Sequence, residues 1–216
     1  MSREVQDISG YRYADAGAGH AHGYLSAPVL RLLRGLPGQP SRIFELGCGN
    51  GSFAHGLSRE GFEVIGVDPS AEGIAQARQE YPHLRLAQGS AYDDLAGDYG
   101  RFPVVLSLEV VEHVYFPRRY AATVFELLEP GGVAIISTPY HGYMKNLALA
   151  VSGRMDAHFT ALWDHGHIKF WSRRTLRALL EEAGFEQVSF VRVGRSPPLA
   201  KSMIAVATKP SSDTSA

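Results

Sequence analysis

The sequence predicts one α/β domain: a seven-stranded, mostly parallel sheet with helices on both faces, an antiparallel last strand and a long insert after strand 5. Three observations carry this. Short apolar runs alternate with helix-period patterns from Arg42 onward, as a parallel sheet covered on both faces requires. A glycine-rich loop stands where the first strand hands over to a helix. The last two apolar segments are joined by a link too short for a crossover helix, so they pair antiparallel.

The elements follow in order. Residues 1–40 read as a flexible arm and then a helix, because Leu25, Val29, Leu32, Leu33 and Leu36 fall at helical spacing after an aperiodic start. The main domain spans 41–209. Its strands are expected over 43–46, 63–67, 84–87, 104–108 and 133–137, with helices over 52–59, about 71–81, and 119–128. Ser172 is an N-cap for a helix carrying Leu176, Leu179 and Leu180, and Gly184 stops it. Apolar segments 185–193 and 202–208 close the fold around Pro197 and Pro198. The tail 210–216 is serine-rich, has no large apolar residue to bury, and reads as disordered.

Composition excludes several classes of function. The 216 residues, 45% hydrophobic, suit one core and not two. Lysine plus arginine (21) balances aspartate plus glutamate (22), which argues against a nucleic-acid partner and favours a small-molecule one. A lone cysteine, Cys48, and a start without a signal-like apolar stretch point to the cytoplasm. No apolar run reaches the ~18 residues needed to span a bilayer.

The sharpest local pattern is Glu45-Leu46-Gly47-Cys48-Gly49-Asn50-Gly51, where backbone can approach a ligand directly. Its spacing is G-x-G-x-G; the dinucleotide fingerprint would need glycine at Ser52. A second strand ends at Val67-Asp68-Pro69-Ser70, so Asp68, 21 residues beyond Gly47, shares the sheet edge where open α/β folds bind ligands. Loop and carboxylate together suit an adenosine-bearing cofactor whose two ribose hydroxyls donate hydrogen bonds to Asp68. The plainer alternative is a tight turn with Asp68 capping the next helix.

These residues resemble the first two motifs of the class I S-adenosylmethionine-dependent methyltransferases, E/D-x-G-x-G-x-G and an acidic end to the second strand. The likeness extends over about 41–209, through Ser107-Leu108-Glu109-Val110-Val111-Glu112-His113 and Leu128-Glu129-Pro130-Gly131-Gly132. It implies a Rossmann-like fold and S-adenosyl-L-methionine as cofactor, with S-adenosyl-L-homocysteine as product. It further implies that Glu45, Gly47, Cys48, Gly49, Asn50 and Gly51 line the cofactor with Asp68 and Pro69, and that Leu108 lies against the adenosine or sulfonium region. Where the family often has an acid after the third strand, this chain has Gln88-Gly89-Ser90-Ala91, so Ser90 and Ala91 stand at the adenine.

The sulfonium already activates the methyl group, so the protein's task is alignment and proton removal, for which histidine is suited. His113 is expected to begin a helix after the fourth strand, either as the base or as a residue holding the site's shape. Glu109 and Glu112 either orient it or face solvent. The insert 139–171 is read as a substrate lid, dense in histidine and aromatics. Within it His165 and His167 are candidate acid/base residues, and Tyr140, His141, Tyr143 and Trp163 are candidate substrate contacts. The run Asp164-His165-Gly166-His167 lacks diagnostic metal spacing, and no metal is assigned. Residues 143–151 weakly resemble an insert of the ubiquinone-pathway O-methyltransferases that approaches lipid; packing on the domain's own core is preferred to membrane contact.

The function expected is methyl transfer to a small-molecule acceptor, chiefly O-methylation. A noncatalytic subunit that binds the same cofactor is the alternative. A nicotinamide reductase is disfavoured by the loop spacing and by Tyr81 and Tyr99, neither of which has a lysine four residues on.

Overall fold

The computed structural model describes residues 22–163 and 166–211. The predicted arm up to residue 21 and the predicted disorder from 212 lie outside the described residues.

The chain runs α1 (His22–Arg34), β1 (Arg42–Leu46), α2 (Ser52–Arg59), β2 (Glu63–Asp68), α3 (Ala71–Glu80), β3 (Arg85–Gln88), α4 (Leu95–Tyr99), β4 (Phe102–Leu108) and α5 (Pro117–Glu126). It continues through β5 (Leu128–Pro139), α6 (Tyr143–Val151), α7 (Met155–Phe159), α8 (Arg173–Glu182), β6 (Glu186–Val193), a short 3-10 turn (Pro197–Leu199) and β7 (Ser202–Thr208).

All seven strands form one sheet in the order β3-β2-β1-β4-β5-β7-β6. The pairs from β3 through to β5 are parallel, and β7 runs antiparallel to both β5 and β6. The predicted single reversed strand is therefore found. The short 3-10 connection forces it, because it can only turn the chain back beside β6.

Strand residues alternate between two cores. Ile43, Val104 and Leu106 face one side with Leu25, Val29 and Leu33 of α1, Phe53 and Leu57 of α2, and Ile74 of α3. Phe44 and Val105 face the other with Tyr120 and Val124 of α5 and Leu176 and Leu180 of α8. Fully buried side chains such as Phe44 each contribute about 2–3 kcal/mol. Ser172 caps α8 as predicted, in a capping box with Thr175.

Most boundaries shift by a residue or two, and the larger differences from expectation have local causes. β5 begins at Leu128, because the Pro130-Gly131-Gly132 stretch continues the strand through a register shift opposite Phe102 and Val104. α5 begins at Pro117, the proline serving as its first residue. His113 begins no helix: it ends a turn, its amide donating to the Val110 carbonyl at 2.9 Å. The five-residue helices α4 and α7 are too short to display an apolar period.

Candidate active site

Strand order reverses between β1 and β4, so the crevice at their C-terminal ends is where an open α/β sheet receives a ligand. The glycine loop follows β1 there. Gly47 has φ 86°, and a Cβ at that position would collide with the Val110 side chain. Gly51 has φ 77°, and a Cβ there would fall 2.7 Å from Leu86 Cδ1. The loop is thus glycine for both conformation and space.

Asp68 ends β2, buried, with both carboxylate oxygens engaged: Oδ2 accepts from the Gly49 amide at 2.9 Å and Oδ1 from the Ser70 amide at 2.8 Å. It does not cap α3. Ser70 does, accepting from the Gly73 amide at 3.1 Å. Asp68 instead ties the two loops together while retaining lone pairs for a ligand hydroxyl.

Beneath the loop Glu45 is buried with Oε2 unpartnered, and burial, then the nearby Asp68, raise its pKa to about 8. Burial first, then the same two acids, push the Cys48 thiol up as well. A buried carboxyl with an orphaned oxygen, beside backbone that tolerates no side chain, fits a cofactor bearing an ammonium group. Asn50 is buried and receives the Ser52 amide on Oδ1 at 3.3 Å; Pro69 is half-buried.

After β3, the Ser90 hydroxyl accepts from the Tyr92 amide at 3.2 Å, and the Ser90 amide donates to Asp93 Oδ2 at 2.7 Å. Asp93 thus sets a carboxylate against the Ser90 amide in the turn after β3. Sequence reasoning missed it because it lies three residues along the turn. Leu108 is half-buried at the end of β4.

The turn after β4 holds two acids, neither facing solvent as a surface acid would. Glu109 adopts φ 54°, a conformation costing on the order of 1 kcal/mol or more for a non-glycine residue. It is held by its neighbours. Its amide donates to Ser137 Oγ at 3.0 Å, Ser137 Oγ donates to its Oε1 at 2.7 Å, and Ser202 Oγ donates to its Oε2 at 3.2 Å. Tyr24 of α1 meets Ser202 Oγ at 3.1 Å. Burial raises the Glu109 pKa to about 7, against the pull of these hydroxyls and of Lys145. Glu112 is 1% exposed, and its pKa is raised by burial and then by Glu109, against the pull of the Thr138 hydroxyl.

The insert folds back over this turn. The amides of Ile168 and Lys169 both donate to the Glu112 carbonyl at 3.0 Å, and Trp171 Nε1 donates to the Val111 carbonyl at 3.1 Å. His167 is thereby set against His113, ring centroids 4.9 Å apart, with Trp163 edge-on to both at 6.4 and 5.4 Å. Glu112, His113 and His167 offer ligand atoms all within 4.8 Å of one another, a spacing able to hold a cation. Burial, then His113, lower the His167 pKa to about 4.

His141 is buried with Nδ1 unpartnered, in a ring cluster with Phe159 and Phe170, and burial followed by Lys145 lowers its pKa to about 4. Tyr140 is buried beside it, whereas Tyr143 is 83% exposed on α6 and stands apart from both. His165 lies outside the described residues. α6 buries none of its residues, so the expected packing of 143–151 on the domain's own core is not found. Among the described residues no helix is long and apolar enough to cross a membrane.

The fold is similar to those of solved methyltransferases. The chain superposes on a Thermotoga maritima S-adenosylmethionine-dependent methyltransferase with a TM-score of 0.63 at 21% identity, covering 87% of this chain and 90% of that one. An Archaeoglobus fulgidus S-adenosylmethionine-dependent methyltransferase gives a TM-score of 0.65 at 18% identity, covering 86% of this chain and 93% of that one.

A methyltransferase-domain family model matches residues 18–189, and the chain belongs to that family, in the class I S-adenosylmethionine-dependent methyltransferases. S-adenosylmethionine is its cofactor. Among relatives, a ubiquinone biosynthesis O-methyltransferase of Cereibacter sphaeroides is 34% identical over 171 residues, 76% of this chain and 65% of its own length. One of Azorhizobium caulinodans is 37% identical over 168 residues, 74% of this chain and 62% of its own. The chain thus spans a little under two thirds of these relatives.

Proposed function

We propose that this chain methylates a hydroxyl of a small aromatic acceptor seated between the turn after β4 and the lid. The observation that carries this is the lid's attachment to Glu112, which lays His167 and Trp163 against His113 at the cofactor edge of the sheet. The names of the relatives, which place them as O-methyltransferases in ubiquinone biosynthesis, support an oxygen acceptor.

When bound, S-adenosylmethionine supplies a methyl group activated on a sulfonium. Gly47, Gly49 and Gly51 would admit it against bare backbone, Asp68 would take its ribose hydroxyls, and Glu45 would meet its ammonium. Leu108 and Ala91 would pack against its adenosine, with Ser90 and Asp93 at the polar edge. His113 would receive the acceptor's hydroxyl proton, with His167 and Trp163 enclosing the ring and excluding water. Histidine suits this task because its ordinary pKa lies near neutrality.

The test pairs calorimetry with turnover. Replacing His113 by Gln is expected to lower kcat on a catechol acceptor by roughly 100-fold, as loss of a general base does, while S-adenosylhomocysteine still binds. Retained kcat removes His113 as the base, and absence of cofactor binding in the unmodified chain removes the proposal.

A second element rests on α6. Tyr143 (83%), Leu147 (57%) and Val151 (82%) are exposed together, and the loop residue Leu162 is 98% exposed, an apolar surface beside the site suited to an acceptor with an apolar tail or to a lipid surface. Liposome sedimentation of the chain carrying Leu147→Ser and Val151→Ser checks it: equal pelleting of parent and variant excludes lipid contact.

A further inference from the structure

Residues 166–171, the stretch of the insert that carries His167, form neither helix nor strand, so tertiary bonds fix where they lie. The Ile168 and Lys169 amides share the Glu112 carbonyl, each at 3.0 Å. Trp171 Nε1 donates to the Val111 carbonyl at 3.1 Å, and the Trp171 carbonyl accepts from the His141 amide at 3.2 Å. Trp171 therefore stands between the turn after β4 and the chain leaving β5.

Burial singles out the same residue. Ile168 and Phe170 are 47% and 48% exposed, whereas Trp171 is 8% exposed and lies in one core cluster with Val111, Val114 and Tyr140. Val111 is itself fully buried, so loss of the indole would strip its carbonyl of a donor away from water. The same turn reaches the cofactor loop, since a Cβ on Gly47 would strike the Val110 side chain. One short turn thus meets the cofactor loop through Val110 and the insert through Val111 and Glu112, and it ends on His113.

We propose that Trp171 is a positioning residue for methyl transfer: its indole bond to Val111 sets residues 167–171 on the turn after β4 and so holds His167 against His113. It acts through His167, four residues before it, whose ring centroid lies 4.9 Å from that of His113 and 5.4 Å from that of Trp163. Two amides sharing one carbonyl fix how near the segment lies but let it pivot about that oxygen. The indole, bonded one residue further back on the turn, removes the pivot. Methyl transfer is sensitive to such motion, because a displacement of about 1 Å at a reacting group costs on the order of 100-fold in rate. The inference rests on the acceptor lying between His113 and the lid, as proposed above.

The test is Trp171→Phe in the full chain, which keeps a ring in the core and removes the N–H. Its kcat on a catechol acceptor is expected to fall about tenfold or more, while its Kd for S-adenosylhomocysteine stays within about twofold. Leu180→Ala, a truncation in the core under α8, is the control: it should lower the urea midpoint and leave kcat intact. The imidazole NMR signals of His113 and His167, assigned with His113→Gln and His167→Gln, should both move in Trp171→Phe, and they decide if catechol is not methylated. Unchanged kcat with a lowered urea midpoint, or unmoved imidazole signals, overturns the proposal and leaves Trp171 a packing residue. So does a variant that loses S-adenosylhomocysteine as strongly as it loses kcat. Should Trp171→Phe not fold, the unmodified chain decides. Trp163, the other of its two tryptophans, is 45% exposed, and the Trp171 indole N–H should exchange with solvent about tenfold or more slowly by comparison. Equal exchange overturns the proposal. Failure of S-adenosylhomocysteine to bind the unmodified chain is a separate result, against the methyltransferase reading itself.

Discussion

Asp68 Oδ2 accepts the Gly49 amide at 2.9 Å, so the end of β2 is joined to the middle of the glycine loop. A carboxylate expected to meet a ligand thus also shapes the glycine loop beside it. Replacing Asp68 by Ala is expected to weaken S-adenosylhomocysteine binding by about 100-fold or more and to destabilise the chain by about 1–3 kcal/mol, since two buried amides lose their acceptor. Calorimetry and urea unfolding measure the two effects. Wild-type affinity in the variant would show that Asp68 has only the structural task.

Gly47→Ala meets two obstacles, a φ of 86° and the Val110 side chain. Destabilisation of about 2–4 kcal/mol is expected in denaturant unfolding. Adding Val110→Ala relieves the collision but not the backbone strain, so the double variant should recover only part of the loss. Full recovery would refute the conformational component.

Glu45 predicts an unusual pH dependence. Its folded pKa, about 8, exceeds the ordinary 4.5, so between those values the folded chain binds a proton that the unfolded chain has released. Its contribution is therefore fully present below about 4.5 and is lost as pH rises through about 8. Glu45→Gln should abolish that slope and leave the cofactor-free chain more stable at pH 8, by on the order of 4 kcal/mol at most. Urea midpoints from pH 5 to 8.5 give the slope, and parallel profiles for the two proteins would contradict the assignment.

His141 acts in the opposite sense. Its folded pKa, about 4, lies below the ordinary 6.5, so its neutral form supports the fold above 6.5 and that support is lost as pH falls toward 4. His141→Phe, which keeps a ring among Phe159 and Phe170, is expected to raise Tm at pH 5 by a few degrees relative to its effect at pH 7.5. Differential scanning at the two pH values checks this, and an equal shift at both would remove His141 as the source of acid sensitivity.

How much was legible in the sequence differs from residue to residue. Gly47, Gly51 and Asp68 could be placed from one local pattern because each acts within its own turn or at the end of its own strand. The α8 cap at Ser172 was legible for the same reason. Asp93 escaped notice because its hydrogen bond to Ser90 depends on how the turn after β3 closes. For Glu109 and Glu112 the sequence leaves open whether they orient His113 or face solvent, since nothing in their immediate neighbours announces that Ser137 and Ser202 bond to one while residues 168 and 169 of the insert tie down the backbone of the other.

By itself the amino-acid order determined the alternation of strands and helices, the reversed closing strand and the cofactor loop, since periodicity and backbone conformation are short-range properties. Only the tertiary structure decided which histidine meets which: His113 and His167 are brought together by main-chain hydrogen bonds from residues 168 and 169 to Glu112, far apart along the chain. The same packing left α6 with none of its residues buried, because long-range contacts depend on how every intervening element settles on the sheet.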